Sequence, residues 1–285
     1  MITKKEINEL KKMACTMRMD VVHMGPRSGN VPHVGPAFSC ADIVSALYFH
    51  FMNVRPEDPH WEDRDRFVIS KGHGALCVYS ALAHRGFFSV DELWKIKQVG
   101  AILQGHPDMK KIPGIDATTG SLGNGMSFAL GIAAAMNLGK KSGKVYCLLG
   151  DGEAQEGIVW EAAMYAGAKK LDNFITILDY NHQQGSGVVD DIIDMEPLKD
   201  CWKKFGWRVL EINGNCMEEV CSALEMAQVF HGGPTLIVAH TIKGKGVSFM
   251  EDNNDWHSKM VNEEEYKTAI AELEAQYKSL EEEAV

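Results

Sequence analysis

The sequence has no long uncharged apolar stretch. Nowhere in the chain do the roughly 20 consecutive apolar positions needed for a membrane-spanning helix occur, and residues Met1 to Asp20 mix Lys, Glu and Met without the apolar centre of a secretory leader. A soluble, cytoplasmic protein is expected. Excess basic charge is also missing: 29 Lys and Arg stand against 39 Asp and Glu, a net charge of −10. That balance, with no basic cluster, excludes nucleic acid or an anionic membrane as the main partner, although local positive sites can still receive a phosphate. There is no Cys-x-x-Cys pair among the seven cysteines, whose odd number and mostly apolar neighbours read as reduced core residues. Cys216 and Cys221 are the only pair close in sequence. Internal repeats, low-complexity segments and linker-like stretches are absent. With 285 residues and 45% hydrophobic composition, the chain can bury the core of one large α/β domain spanning residues 1–285. Length alone would also allow two smaller units.

What is present is an alternation of short apolar runs with helical patterns. Helical spacing covers Lys4 to Gly25 and Ala41 to Phe51, with a Pro/Gly-rich loop from Gly25 to Pro36 between them. A strand at Phe67 to Ser70 precedes a helix from Ala75 to about Arg85 and a short helix from Val90. The Gly-rich connection from Gly100 to Gly125 reads as too glycine-rich for core and too long to be idle. A small-residue helix over Ala129 to Leu138 follows. Further on, Gly185 to Leu198 reads as a polar loop. A helix around Asp200 to Phe205, a strand at Trp207 to Ile212, a helix from Met217 to Phe230 and a buried strand at Thr235 to His240 complete the alternation. From Asn262 onward a charged pattern predicts a solvated amphipathic helix. The order predicts a doubly wound, mostly parallel sheet flanked by helices, with its site at the strand carboxyl ends.

The densest signal is Gly150-Asp151-Gly152-Glu153, which follows the apolar run Val145 to Leu149 and is answered by Asn181 after a second run, Phe174 to Leu178. With a helix over Gly157 to Lys170 between them, the two runs form a βαβ unit. Its strand ends share one crevice, so Asp151 and Asn181 can offer oxygen ligands to one hard cation. Gly150 and Gly152 allow close backbone approach to a diphosphate, and the next helix N-terminus favours negative charge. Taken alone, Gly-Asp-Gly after a strand is equally an ordinary turn.

This pattern resembles the thiamine diphosphate (TPP) binding motif, and the rest of the chain extends the likeness. Arg64-Asp65-Arg66-Phe67-Val68-Ile69-Ser70-Lys71-Gly72-His73-Gly74, Gly105-His106-Pro107, Thr118-Thr119-Gly120-Ser121-Leu122-Gly123-Asn124-Gly125, Thr241-Ile242-Lys243-Gly244-Lys245-Gly246 and Trp256-His257 occur in the order seen in transketolases. From about His33 to His257 the chain resembles the N-terminal, diphosphate-binding half of that family. The resemblance implies that Asp151, Asn181 and the backbone carbonyl of Gln183 bind Mg²⁺ or Ca²⁺. It implies that His73, Gly152, Lys243 and His257 face the diphosphate, while Gly120 and Leu122 line the ring portions of the cofactor. It places His33, His106 and His257 around the sugar's carbonyl and hydroxyl groups, where an imidazole serves as acid, base or hydrogen-bond partner. Glu156 matches an acidic position at a dimer interface where the two active sites communicate; a solvated helix carboxylate is the plainer reading. The other histidines read as structural or surface residues. One departure stands out: the family's Ser-Gly-His-x-Gly appears here as Arg27-Ser28-Gly29-Asn30-Val31-Pro32-His33-Val34-Gly35, which bears on the choice of sugar.

The family activates TPP with a glutamate from a separate pyrimidine-binding domain, and no residue here matches it. The resemblance therefore implies one half of a split enzyme with an α2β2 assembly. Its partner would be a C-terminal transketolase subunit carrying that domain, the activating glutamate and much of the sugar-phosphate site. The implied reaction moves a two-carbon ketol unit from a ketose to an aldose. A thiamine-dependent synthase acting on a 2-oxo acid and an aldehyde, a transketolase for an unusual sugar, and a non-catalytic TPP-binding scaffold remain open alternatives.

Overall fold

The computed structural model describes residues 2–283. Seven strands form in chain order: β1 (Arg66–Ile69), β2 (Val145–Gly150), β3 (Phe174–Tyr180), β4 (Gln183–Gln184), β5 (Gly187–Val188), β6 (Arg208–Asn213) and β7 (Thr235–His240). Five of them make one sheet in the order β1-β2-β3-β7-β6, parallel at every pairing, while β4 and β5 form a small antiparallel hairpin. Ten α-helices accompany them among the described residues: α1 (Lys4–Ser28), α2 (Val34–Ser39), α3 (Ala41–Ala46), α4 (Ala75–Arg85), α5 (Asn124–Leu138), α6 (Gly157–Ala168), α7 (Val189–Ile192), α8 (Leu198–Lys204), α9 (Met217–Gln228) and α10 (Glu263–Glu282).

Strand residues alternate between two cores because successive side chains leave a strand on opposite faces. Tyr146, Leu148, Ile175, Ile177, Ile237 and Ala239 pack with α1, α3, α4 and α9 on one face. Val145, Cys147, Leu149, Phe174, Leu178, Leu236 and Val238 pack with α5, α6 and Trp202 of α8 on the other. Both faces are covered, so the central strands read as unbroken apolar runs, and the expected doubly wound α/β architecture is what the chain adopts.

Four local differences from the sequence expectation have physical causes. Gly25 and Pro26 suggest a helix stop, yet α1 runs to Ser28 and closes at Gly29, whose N–H bonds the Gly25 carbonyl at 2.9 Å. The loop carrying His33 is therefore shorter than expected, and His33 sits at the N-cap of α2. In the glycine-rich connection, Leu103, Ile112, Ile115 and Ala117 are buried, so glycines shape the path while single apolar side chains anchor it. The polar segment after Asn181 is a strap: β4 pairs Gln183 with Val188 of β5, the Val189 N–H bonds the His182 carbonyl at 2.9 Å, and the Tyr180 hydroxyl bonds Asp190 at 3.3 Å. Two-residue strands leave no periodicity to read. Finally, α10 is amphipathic but docked, seating Ala269 and Leu273 in the core beside α1.

Among the described residues, no helix is long and apolar enough to cross a membrane.

Candidate functional site

The carboxyl ends of β1, β2, β3 and β7 open onto one cavity of about 640 Å³. Parallel pairing sets Gly150 of β2 against Asp179 of β3, so Asp151 and Asn181, each just past its strand, emerge together. Asp151 is buried; its Oδ1 accepts the Gly152 N–H at 2.8 Å, while its Oδ2 is buried with no partner. Burial, reinforced by the Asp179 carboxylate, raises its pKa to about 6. The Asn181 Oδ1 accepts the Gln183 N–H at 3.1 Å, and the Gln183 Oε1 is a second buried oxygen without a partner. One acid with amide oxygens is the donor chemistry of a hard cation that also binds phosphate oxygens. No group of three or more His, Cys, Asp or Glu residues suited to a metal occurs among the described residues.

Above this floor stand the histidines. His73 follows β1 in a 3₁₀ turn, and its ring stacks on His257 with centroids 5.3 Å apart. His33 lies 6.1 Å from His73, 5.8 Å from His257 and 6.2 Å from His106. Four imidazoles from four separate chain segments thus converge. Burial lowers the pKa of all four, and neighbouring cations lower it further, taking His33 and His257 to about 4. They are neutral imidazoles near pH 7. Lys243, buried after β7, donates to Asn254 Oδ1 at 2.6 Å and lies 3.0 Å from His257 Nδ1. Its pKa falls to about 8 through burial and the nearby Lys71.

Gly120 and Leu122 also line the cavity. Gly120 adopts φ 146°, where a Cβ would also press on the His106 ring at 3.2 Å, so only glycine suits the position. At Gly152 a Cβ would meet the Gln184 side chain at 2.7 Å, so its bareness serves the strap as well as the cavity. Glu156 is exposed at the N-cap of α6, at the cavity's rim, with its side chain against Gly123 at the start of α5.

Sequence reasoning missed the scaffold beneath these residues. Lys71 is fully buried and ion-paired with Asp179, which also accepts from the Ser39 and Thr241 hydroxyls and faces the Asn181 amide. That cluster ties β1, β3, β7 and α2 together under the site. Asp179 carries a legible signal, a charge at the end of an apolar run, but the apolar pattern itself stops at Leu178 and gives no reason to place the carboxylate inside the strand. Glu153 is likewise buried; its carboxylate accepts from the Ser70 hydroxyl at 2.6 Å, the Gly123 N–H at 2.8 Å and the Gly150 N–H at 3.1 Å. It joins the β1 end, the β2 end and the loop before α5.

The sheet and its strand-end cavity define an open parallel α/β domain with its ligand crevice at the strand carboxyl ends. Residues 7–281 match the family described as transketolase, thiamine diphosphate binding domain, and the chain belongs to that family. It is 45% identical over 244 residues to the 6-deoxy-6-sulfo-D-fructose transketolase subunit of Clostridium sp. (strain MSTE9), covering 86% of this chain and 89% of that protein. To an apulose-4-phosphate transketolase subunit of Phocaeicola vulgatus it is 41% identical, covering 88% and 89%. Among solved structures, the transketolase of Campylobacter jejuni superposes with a TM-score of 0.87 at 34% identity, covering 98% of this chain but 46% of that one. The chain therefore spans under half the length of that longer transketolase.

Proposed function

We infer that this chain is the diphosphate-binding subunit of a split transketolase, a single domain over its whole length. The observation that carries the reading is the buried Asp151 Oδ2, unpartnered beside Asn181 at the ends of adjacent parallel strands and beneath converging neutral histidines. A buried carboxylate oxygen without a partner is costly, and a divalent cation would remove that cost. Asp151, Asn181 and the Gln183 carbonyl would hold Mg²⁺ or Ca²⁺, which in turn would hold the diphosphate of TPP. His73, Gly152, Lys243 and His257 would complete the diphosphate cradle; Gly120 and Leu122 would flank the cofactor rings.

Bound TPP would supply a carbon nucleophile able to store the electrons of the broken C–C bond. This chain's residues would do the rest of the work on its side of the site. Neutral His33, His106 and His257 would donate to or accept from the ketose carbonyl and hydroxyls, positioning the sugar and taking a hydroxyl proton as the bond breaks. Lys243, with its lowered pKa, would balance diphosphate charge.

Relatives of nearly this chain's length are named as transketolase subunits, which supports the split arrangement. The partner would be a C-terminal subunit whose pyrimidine-binding domain contributes the activating glutamate. Leu122, Phe128, Met164 and Tyr165 are exposed on or just before α5 and α6, and an α2β2 assembly would cover such apolar side chains. Reduced cysteines fit a cytoplasmic site of action. The test is a ketol-transfer assay in which the chain and its partner, with TPP and Mg²⁺, are offered a panel of ketose donors. Transfer from at least one ketose is expected; carboligation of a decarboxylated 2-oxo acid instead would overturn the assignment.

A further inference from the structure

Lys97 is a cation whose backbone is held in an unusual conformation and which has no acid to pair with among the described residues. It adopts φ 60°, the left-handed region a lysine rarely enters, and its N–H bonds the Leu103 carbonyl at 3.0 Å, fixing the turn. Its half-buried ammonium donates to the Val31 carbonyl at 2.6 Å, and no other partner for it occurs among the described residues. A Cβ added at Gly105 would meet Lys97 Cε at 3.0 Å and Nζ at 3.7 Å. The ammonium is thus wedged between Val31, two residues before His33, and Gly105, one residue before His106. An ammonium carries three donors, and one carbonyl leaves two of them for a ligand.

Its position sets it apart from the lysines of the cofactor floor. Among charged groups Lys97 acts most strongly on His33 and His106, whereas Lys71 acts most on His73 and Lys243 most on His257. Lys71 and Lys243 line the strand-end cavity with Asp151 and Asn181, and Lys97 is not among its lining residues. Because the ammonium sits between the loops that carry His33 and His106, a sugar held at those two rings would have this nitrogen beside it.

We propose that Lys97 is a substrate-contacting residue that selects sugars bearing a tetrahedral oxyanion, a phosphate ester or a sulfonate. The proposal rests on the transketolase reading for the identity of the substrate, but not for the anion site itself. A point charge with free donors and no competing carboxylate recognises such a group without demanding a particular geometry, which accommodates either oxyanion. In the assembled enzyme, Lys97→Met should lower kcat/KM for a phosphorylated ketose about tenfold or more, chiefly through KM, and should lower it far less for the same ketose without phosphate. Lys97→Arg should retain most of the discrimination.

Calorimetry on the same holoenzyme gives a readout that needs no turnover: inorganic phosphate and methanesulfonate are titrated separately into parent and Lys97→Met protein. Weaker binding of either anion in the variant supports the proposal, and the anion that loses more identifies the preferred group. Were the parent to bind phosphate through Lys97 yet transfer no ketol unit, the anion site would stand and the reaction assignment would fall. Equal loss of kcat/KM on charged and neutral ketoses, or unchanged anion binding, would overturn the proposal and leave Lys97 as a brace between the loops of His33 and His106.

Discussion

At the scale of single residues the proposed function divides the site into groups that would hold the cofactor and groups that would face the sugar, and the two make different predictions. Asp151→Ala removes a charged ligand, and losing such a contact costs about 1.5–3 kcal/mol, so cation-dependent TPP affinity should fall by well over tenfold. Calorimetry of the assembled enzyme would measure it; unchanged affinity would dismiss Asp151 as a cation ligand. His33→Ala should instead lower turnover or raise the donor KM with TPP affinity nearly intact, because in the proposed arrangement His33 meets the sugar and does not line the cavity that holds Asp151 and Asn181. Kinetics matching the parent would leave His33 a loop residue. The ring nitrogens of His33 and His257 should not titrate between about pH 5 and 8, the range in which an unperturbed imidazole does. Both are depressed to about 4 by burial first and neighbouring cations second, so they take up protons only as pH falls through that value. NMR of the ring resonances in the free chain would show this directly, and a midpoint near neutrality would contradict it.

At the scale of elements, the ends of three strands and α2 are fastened around one buried ion pair. Lys71, leaving β1, meets Asp179 on β3, with hydroxyls from α2 and from the residue after β7 closing around the carboxylate. Asp179→Asn leaves the Lys71 charge buried without its counter-charge, and breaking such a pair by one partner costs about 3–5 kcal/mol. Denaturant unfolding of the chain should record a loss of that order. The double variant Lys71→Met with Asp179→Leu should recover a good part of it; a single variant as stable as the parent would show that the pair does not fasten these ends. This level was only half legible in sequence. The runs around Val145 to Leu149 and Thr235 to His240 announce buried parallel strands because both sheet faces are covered. The spacing of Asp151 and Asn181 marks the crevice because strand ends in a parallel sheet align. Lys71 stands inside a recognisable motif, yet nothing local says that its ammonium turns inward, since its partner lies 108 residues away. The strap of β4, β5 and α7 was invisible because two-residue strands have no period. Cys40 and Cys77, 3.5 Å apart in the core, were equally hidden, while Cys216 and Cys221, close in sequence, remain free thiols.

At the scale of the whole molecule, the proposed function makes the chain one wall of an active site. Its strand-end cavity gathers a buried acid, an amide and two lysines beneath four converging imidazoles, and its α5 and α6 surface carries Phe128, Met164 and Tyr165 half exposed to solvent. A site at the edge of an apolar face suits formation between subunits. The sequence showed this only through resemblance, because an interface leaves no periodic mark on one partner alone. The most direct measurement is a ketol-transfer assay, with TPP and Mg²⁺, of the purified chain by itself and then with its pyrimidine-domain partner, each sample's mass checked by light scattering. The account predicts a catalytically silent chain and activity that appears with the mixed assembly. Robust turnover by the chain alone would contradict it.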